Sequence, residues 1–499
     1  MAPEAIVPPS STMPDDDLRT AWKLDVSAVT PLIQIIASNF ESKTNSLVDQ
    51  PVVKLADSER VAMLAEYAQP GVAHSVEEVF KEACDIFDYR LRMDHPRFYS
   101  FIPAAVSPYS VIGETVSSAF NAFAGSRLQS SGPSCIEQGL IQWLAAKAGL
   151  PPTAGGLTVS GGSMANFTAM VLARDKHLPR DQWLNGVAYI SDQTHSSVAK
   201  GLRILGFDAT QIQIIPTDER FRMKVRELED QIRRDRNAGR YPFVVIASTG
   251  TTNTGSIDPL HEIVEICNRE NLWVHVDGAY GASALLSKDR PNLLDGVGGV
   301  DSISWDAHKW LFQTYACGIL LVREKQHLID SFATGAEYIR DAEEVDDVPN
   351  FWNFGLELTR PARAMKLWFT LRVLGVDTFG RAIDHGINMA EYAEKQVRLQ
   401  PDWQIISSAS LAVITFRYAP AGLSEKELDV LNTKISQTVI ASNVAGILTT
   451  ILRGRVVLRI CSLHPLTDET MMQKVILDMD EVARQLLQQI RAENGVNGE

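Results

Sequence analysis

The middle of this chain predicts an α/β domain built on a mainly parallel sheet, on three grounds. Between about 96 and 375, apolar runs of β character alternate with amphipathic stretches of helical period. Each polar motif in that region directly follows one of the apolar runs, at the strand ends where parallel sheets bind ligands. The composition is that of a globular protein, with 499 residues, 45% hydrophobic and 22% charged. That is ample for a large core and suggests two or three structural units.

Taken in order, residues 1–17 are Pro/Ser-rich and acidic and lack an apolar signal-peptide core. They read as a disordered tail on a cytoplasmic protein. From 18 to 95 the chain reads as a helical segment, with Leu24, Val26, Val29, Leu32, Ile35 and Ile36, then Val79, Ala83, Ile86, Phe87 and Leu91, at helical spacing. Neither helix closes a core alone, which suits packing on a partner subunit or capping of its own domain. HPRFYSFIPAAVSP (95–108) is apolar and fits a buried connection or the wall of a ligand pocket.

The large domain spans 96–375. Strand-like runs at 157–160, 187–191, 212–216, 243–248, 272–277, 302–305 and 318–322 alternate with helical stretches near 165–174, 198–202, 224–236 and 259–269. From 331 to 352 the pattern stops in an acidic, irregular stretch, the kind of long loop that is functional or disordered. A helical run over 362–374 leads to a small C-terminal α+β domain, 376–499. Its β-like runs lie at 411–416 and 456–461, and its helices at 424–441 and 468–491.

The charge balance narrows the partners. Sixty-one acidic against 47 basic residues give a net charge of -14, and there is no Lys/Arg-rich run, which argues against a nucleic-acid partner. No metal-ligand spacing occurs, and no apolar run reaches transmembrane length, so neither a metal nor a membrane is expected. The five cysteines are scattered without a CxxC, as free thiols in a reducing compartment would be.

The motifs centre on SISWDAHKWLFQTYACGILLVRE (302–324), where apolar runs enclose His308 and Lys309. Desolvation lowers a lysine pKa and frees its neutral amine for Schiff-base chemistry with a carbonyl cofactor, pyridoxal 5'-phosphate above all. The same stretch also suits a lysine at the mouth of a core strand, paired with a carboxylate. VSGGSMANFTAM (159–170) is a strand, a Gly-Ser turn and a helix start. Gly161, Gly162 and Ser163 could cradle an anion there or form a plain capped turn. His195, just after a strand, is either structural or placed to stack on an aromatic cofactor. Thr252 lies in a hydroxyl-rich loop, either an ordinary turn or a donor to a ring substituent. Asp277 ends an apolar strand, where a carboxylate needs a partner such as a cationic ring nitrogen, or caps the next turn.

These motifs together make the chain resemble the group II pyridoxal phosphate-dependent decarboxylases, which include the aromatic-L-amino-acid, glutamate, cysteine-sulfinate and histidine decarboxylases. The resemblance runs from about 70 to 485. It is carried by SGGSMAN (160–166), SDQTHSS (191–197), HVDGAYG (275–281) and SISWDAHKW (302–310), the last extending through Cys317 to Arg323. It implies the fold type I architecture of pyridoxal phosphate-dependent transferases and a homodimer with its active sites at the interface.

The resemblance also implies roles. Lys309 would hold the cofactor as a Schiff base, Asp277 would pair with the pyridine nitrogen and His195 would stack on the ring. Thr252 would lie near the ring hydroxyl, while Gly162, Ser163 and His308 would help hold the phosphate. Tyr338 falls where the family has a mobile tyrosine that returns the proton after CO2 leaves. Relatives with phenylalanine at that position make aldehydes oxidatively. Arg459 resembles an arginine near the substrate carboxylate. Asp306 departs from the family's usual Asn, and Met164 from a common Glu.

The expected reaction is decarboxylation of an L-amino acid to an amine. Phe98, Phe101 and Ile102, with Ala104 after Pro103, favour an aromatic or large apolar substrate. An acidic or diamino substrate, an aldehyde-forming reaction and a catalytically silent binding protein are the alternatives.

Overall fold

Valine, isoleucine and alanine dominate the runs at 186–191, 241–248 and 273–277, and in the computed structural model all three are strands of one sheet. Such runs are apolar on both faces because parallel sheets are covered on both sides. The structure describes residues 30–31, 33–38, 41, 47–68, 71, 73–102, 105–335 and 349–496. It divides into two units, Met1–Phe98 and Tyr99–Glu499.

In the first unit, β1 (Val53–Lys54) and β2 (Arg90–Leu91) pair antiparallel. Between them lie α1 (Ser58–Glu66), capped by the Asp57 side chain, and α2 (Val76–Asp88), started by a Ser75–Glu78 capping box. Neither helix buries a residue, and Val79, Ile86 and Phe87 on α2 are exposed. The helix expected across Leu24–Ile36 falls largely outside the described residues.

The second unit opens with α3 (Pro108–Phe120) and α4 (Arg127–Lys147). The sequence pattern did not signal either helix. In α4, Ser130 departs from helical φ/ψ and Pro133 sits inside, so the segment has loop-like composition. It is held as helix by burial of Ile141, Leu144 and Ala145 against the sheet.

The β-α alternation follows: β3 (Gly155–Val159), α5 (Gly162–His177), β4 (Gly186–Ser191), α6 (Ser196–Ile204), β5 (Ile212–Ile215), α7 (Val225–Asn237), β6 (Tyr241–Ser248), α8 (Leu260–Glu270) and β7 (Trp273–Asp277). β8 (Ser302–Asp306) and β9 (Gly318–Val322) form a hairpin with Asp306 opposite Gly318. The sheet order is β3-β9-β8-β7-β6-β4-β5. Its pairings are parallel except the two made by β9, so the sheet is mainly parallel, as expected.

Alternation along each strand splits the core. Val245, Val274, Val276, Ile303 and Trp305 face one side with α4 and α8, while Val244, Ile246, Leu320 and Val322 face the other with α5 and α6. Each such aliphatic side chain contributes about 1.5–3 kcal/mol by leaving water.

After α9 (Gln326–Phe332) and α10 (Ala364–Leu374), α11 (Val376–Arg398) buries Phe379, Ile383 and Ile387 in the large-sheet core. The same helix buries Ala393 and Val397 in a second core. That core lies on a four-stranded antiparallel sheet of β10 (Trp403–Ser410), β11 (Val413–Tyr418), β13 (Arg455–Cys461) and β12 (Thr449–Leu452), in that order, with α12 (Glu425–Ala441) and α13 (Glu469–Val496).

A buried ion pair ties α4 to the strand before the glycine turn. Arg360 Nη2 donates to Glu137 Oε1 (2.6 Å) and to Thr158 O (2.7 Å), while Thr158 N–H donates to the same Glu137 oxygen (2.7 Å). Both charged side chains are 1% exposed. Removing one partner strands the other charge, at a cost of about 3–5 kcal/mol. Glu137→Ala is therefore expected to lower the thermal unfolding midpoint clearly, whereas an unchanged midpoint would show that Arg360 finds another partner.

Candidate active site

The site is assembled where β3, β6, β7 and β8 end. Strand β3 stops at Val159, and α5 begins three residues later at Gly162. The first intrahelical bonds, from Met164 and Ala165 N–H to Gly161 O, leave the preceding N–H groups of the turn free of the ladder. Glycine is required by proximity here. A Cβ on Gly162 would lie 2.8 Å from both Ala279 Cβ and Asp306 Oδ2, one on Gly161 would lie 3.2 Å from His308 Cε1, and one on Gly318 would lie 2.8 Å from Asp306 Oδ1. Ser163 is exposed beside this cradle, and Met164 packs into the apolar core.

Past β8, the chain turns through His308 and Lys309, both half-buried. Lys309 Nζ lies 3.3 Å from Asp306 Oδ2, and His308 Nε2 lies 3.6 Å from the same oxygen. Cys317 N–H donates to His308 Nδ1 (3.4 Å), and the Tyr315 ring lies 5.6 Å from the imidazole. Burial holds His308 below the usual imidazole value and pushes Asp306 above the usual carboxylate range, against the pull of Lys309 and His308.

Asp277, at the end of β7, is buried and fully engaged. It accepts from Asn166 Nδ2 (2.9 Å), Ala279 N–H (3.2 Å) and Ser304 Oγ–H (3.3 Å). Behind it runs a directed chain. Trp273 Nε1–H donates to Ser302 Oγ (2.8 Å), Ser302 donates to His275 Nδ1 (2.8 Å), and His275 Nε2–H donates to Asn166 Oδ1 (2.9 Å). Burial pushes His275 down to about 4, so the imidazole is neutral and the direction is fixed. Asn166 Nδ2 also reaches Ser197 Oγ (3.3 Å). Ser197 in turn meets His195 Nδ1 through both Oγ (2.8 Å) and N–H (3.2 Å). His195 caps α6 with its ring exposed.

Thr252 follows β6 and is half-buried. Arg459, on β13, donates to Thr252 O (2.8 Å) and to Ser100 O (2.7 Å), so it fastens the segment carrying Phe101 and Ile102 beside the Thr252 loop. Ile102 is buried and Phe101 is 39% exposed.

The structure thus brings Gly162, His308, Lys309, Asp306 and Asp277 into one cluster. It joins His195 to the cluster through Ser197 and Asn166. Arg459 links Thr252 to residues 100–102. Phe98 belongs to the first unit. Tyr338, Pro103 and Ala104 lie outside the described residues.

Asn166, His275, Ser302 and Ser304 were missed as site residues. Beyond their place in the motifs at 160–166, 275–281 and 302–310, their sequence signal was polarity inside otherwise apolar strand and helix faces.

Two outcomes follow from this geometry. Gly162→Ala forces a methyl against Ala279 and Asp306, an overpacking of about 1–3 kcal/mol. The affinity for pyridoxal 5'-phosphate should then fall about tenfold or more in equilibrium dialysis, and unchanged affinity would remove the cradle. For His275, protons bind the unfolded chain before the folded one as pH falls. Its contribution to stability is therefore full above 6.5 and lost on the way down to about 4. Over that window the wild-type unfolding midpoint should drop more steeply than that of His275→Asn, and parallel curves would refute a neutral His275.

Comparison with known proteins places this arrangement. The pyridoxal-dependent decarboxylase conserved domain matches residues 59–419. An aromatic-L-amino-acid decarboxylase of Bacillus atrophaeus is 40% identical over 81% of this chain and 84% of its own length. An L-2,4-diaminobutyrate decarboxylase of Rhizobium meliloti is 31% identical over 83% of each chain. The crystal structure of Oryza sativa TDC with PLP and tryptamine superposes with a TM-score of 0.86 at 26% identity, covering 93% of this chain and 99% of that one.

Proposed function

Because the chain belongs to the pyridoxal-dependent decarboxylase family, we propose that it removes the carboxylate of an aromatic L-amino acid, yielding the amine and CO2. It is a carboxy-lyase whose cofactor is pyridoxal 5'-phosphate. The residues present fit that group. The glycine cradle would be filled by a single Cβ, Asp306 Oδ1 is buried with no hydrogen bond among the described residues, and the Lys309 amine stands beside both. The aromatic assignment is carried by the 40% identity to an aromatic-L-amino-acid decarboxylase, with the apolar pair Phe101 and Ile102 in support.

Bound pyridoxal phosphate supplies a sink for the electron pair left when the Cα–carboxylate bond breaks. The protein's part is positional and electrostatic. Lys309 Nζ would provide the cofactor's covalent attachment. Gly162, Ser163 and His308 would hold the phosphate at the start of α5. Asp277, which accepts from three donors, would pair with the ring nitrogen. His195 Nε2, with Nδ1 committed to Ser197, presents a flat ring face for stacking. Thr252 would lie near the ring hydroxyl. Arg459, which donates to two backbone carbonyls, would meet the substrate carboxylate. Tyr338 would return the proton to Cα from its phenol.

The working unit in this reading is a homodimer. Tyr109, Ile112, Val116 and Phe120 form an exposed apolar stripe at helical spacing along α3, with Leu128 exposed beyond it, a face that a second copy of the chain would cover. The five cysteines are free thiols, which suits the cytoplasm. No described helix is long and apolar enough to cross a membrane.

The test is a mass-spectrometric product screen of purified protein with pyridoxal phosphate. Tyrosine, DOPA, tryptophan, phenylalanine, glutamate, aspartate and 2,4-diaminobutyrate are offered separately. An amine from an aromatic substrate is expected, with turnover lost in Lys309→Ala and diverted to aldehyde and peroxide in Tyr338→Phe. Amine from only diaminobutyrate or an acidic substrate would overturn the aromatic assignment, and aldehyde from the wild type would overturn the role of Tyr338.

A further inference from the structure

Asp306 ends β8 at the floor of the glycine cradle, and it is 2% exposed. Its Oδ2 lies 2.8 Å from the point a Cβ on Gly162 would occupy, at the first residue of α5. The same oxygen faces Lys309 Nζ at 3.3 Å and His308 Nε2 at 3.6 Å. Its Oδ1 is buried beside Gly161 and Gly318 and makes no hydrogen bond among the described residues.

A carboxylate in that position conflicts with an anion in the cradle, because like charges at short range in a dry site repel strongly. Lys309, the lysine in contact with it, is also the amine that the cofactor engages. A neutral carboxyl group removes the conflict and adds an O–H donor where the fold otherwise leaves an unpaired acceptor. Resting on the assignment of this cradle to the cofactor phosphate, we propose that Asp306 holds pyridoxal phosphate as the neutral carboxylic acid, donating its O–H to the phosphate, so that cofactor retention weakens as pH rises.

The surroundings push the same way. Burial raises Asp306 above the ordinary carboxylate range and Asp277 raises it further, while Lys309 and His308 lower it. His308 is itself held toward its neutral form by burial, with Lys309 and Lys366 adding to that effect. The parts of α5 and β9 packed on the carboxyl are glycines, which bring no charge.

Loading the cofactor would then couple to uptake of one proton. Affinity is highest where Asp306 is protonated with or without cofactor. It falls by about tenfold per pH unit as pH rises between the free and loaded titrations, then levels off. An amide donates at every pH, so Asp306→Asn lacks this dependence, and so does Asp306→Ser, whose hydroxyl also donates throughout.

The experiment is equilibrium dialysis of the pyridoxal phosphate-loaded wild type and both variants from mildly acidic to mildly alkaline pH. Retained cofactor is counted by absorbance after alkaline release, and folding is checked by circular dichroism. Taking the ratio of wild-type to variant dissociation constants cancels titrations shared by all three proteins. That ratio should climb by about tenfold per pH unit over part of the range. A ratio independent of pH, or folded variants that shed cofactor at every pH, would overturn the proposal while leaving the phosphate cradle standing. Failure of all three proteins to take up cofactor at any pH would instead remove the cradle assignment, and this proposal with it.

Discussion

Asn166 has one amide with two kinds of work to do, and both are done out of reach of water. Its carbonyl oxygen accepts from a neutral histidine on β7, and its nitrogen donates to Asp277 on that strand and to Ser197 at the start of α6. A buried polar side chain is tolerated only when it is satisfied, so the position of α5 over the sheet is fixed by this amide as much as by apolar packing. The glycine turn that precedes α5 is placed by the same constraint. Asp277, His195 and the glycine turn are therefore set by one hydrogen-bond system and cannot drift independently.

The large sheet and the residues at its strand ends were legible in the sequence because two periodicities and a punctuation rule coincide there. Strand runs stop at polar or glycine-bearing turns, and the chemistry sits at the stops. The helices at 108–147 were not legible, since Ser130 and Pro133 read as loop while burial of the far side of α4 decides the outcome. The long helix over 376–398 escaped for another reason. Its buried positions serve two cores in succession, so no single amphipathic domain is outlined. Within the site, His275 and Asn166 were hidden because a polar residue in an apolar run says nothing about its partner, which lies 109 positions away in the chain. Arg459 was visible as a cation, but not as a tie between two backbone carbonyls from distant segments.

The reversal of β9 matters for the cradle. Strands β3, β6, β7 and β8 reach the site with their C-terminal ends, whereas β9 starts there. Its first residue, Gly318, lies opposite both Val159 and Asp306, so its missing side chain leaves room for the Asp306 carboxyl between two strands. A parallel strand in the same slot would present its C-terminal end and the turn beyond it, and would not bring a glycine to this point by the same hairpin register.

The way α11 joins two cores also bears on the order in which the protein can become native. The apolar cluster on one face of the large sheet includes residues as early as Ile102 and Ile141, and also Phe379, Ile387, Val413, Cys461 and Leu463. During synthesis the chain emerges from its N-terminus, so the first strands of the sheet are exposed to solvent while the side chains that close their core have not yet been made. Completion waits until nearly the whole polypeptide has left the ribosome. A nascent chain of this architecture spends most of its synthesis with an open apolar face, and that interval, rather than the stability of the finished fold, is where it depends most on being shielded from its neighbours.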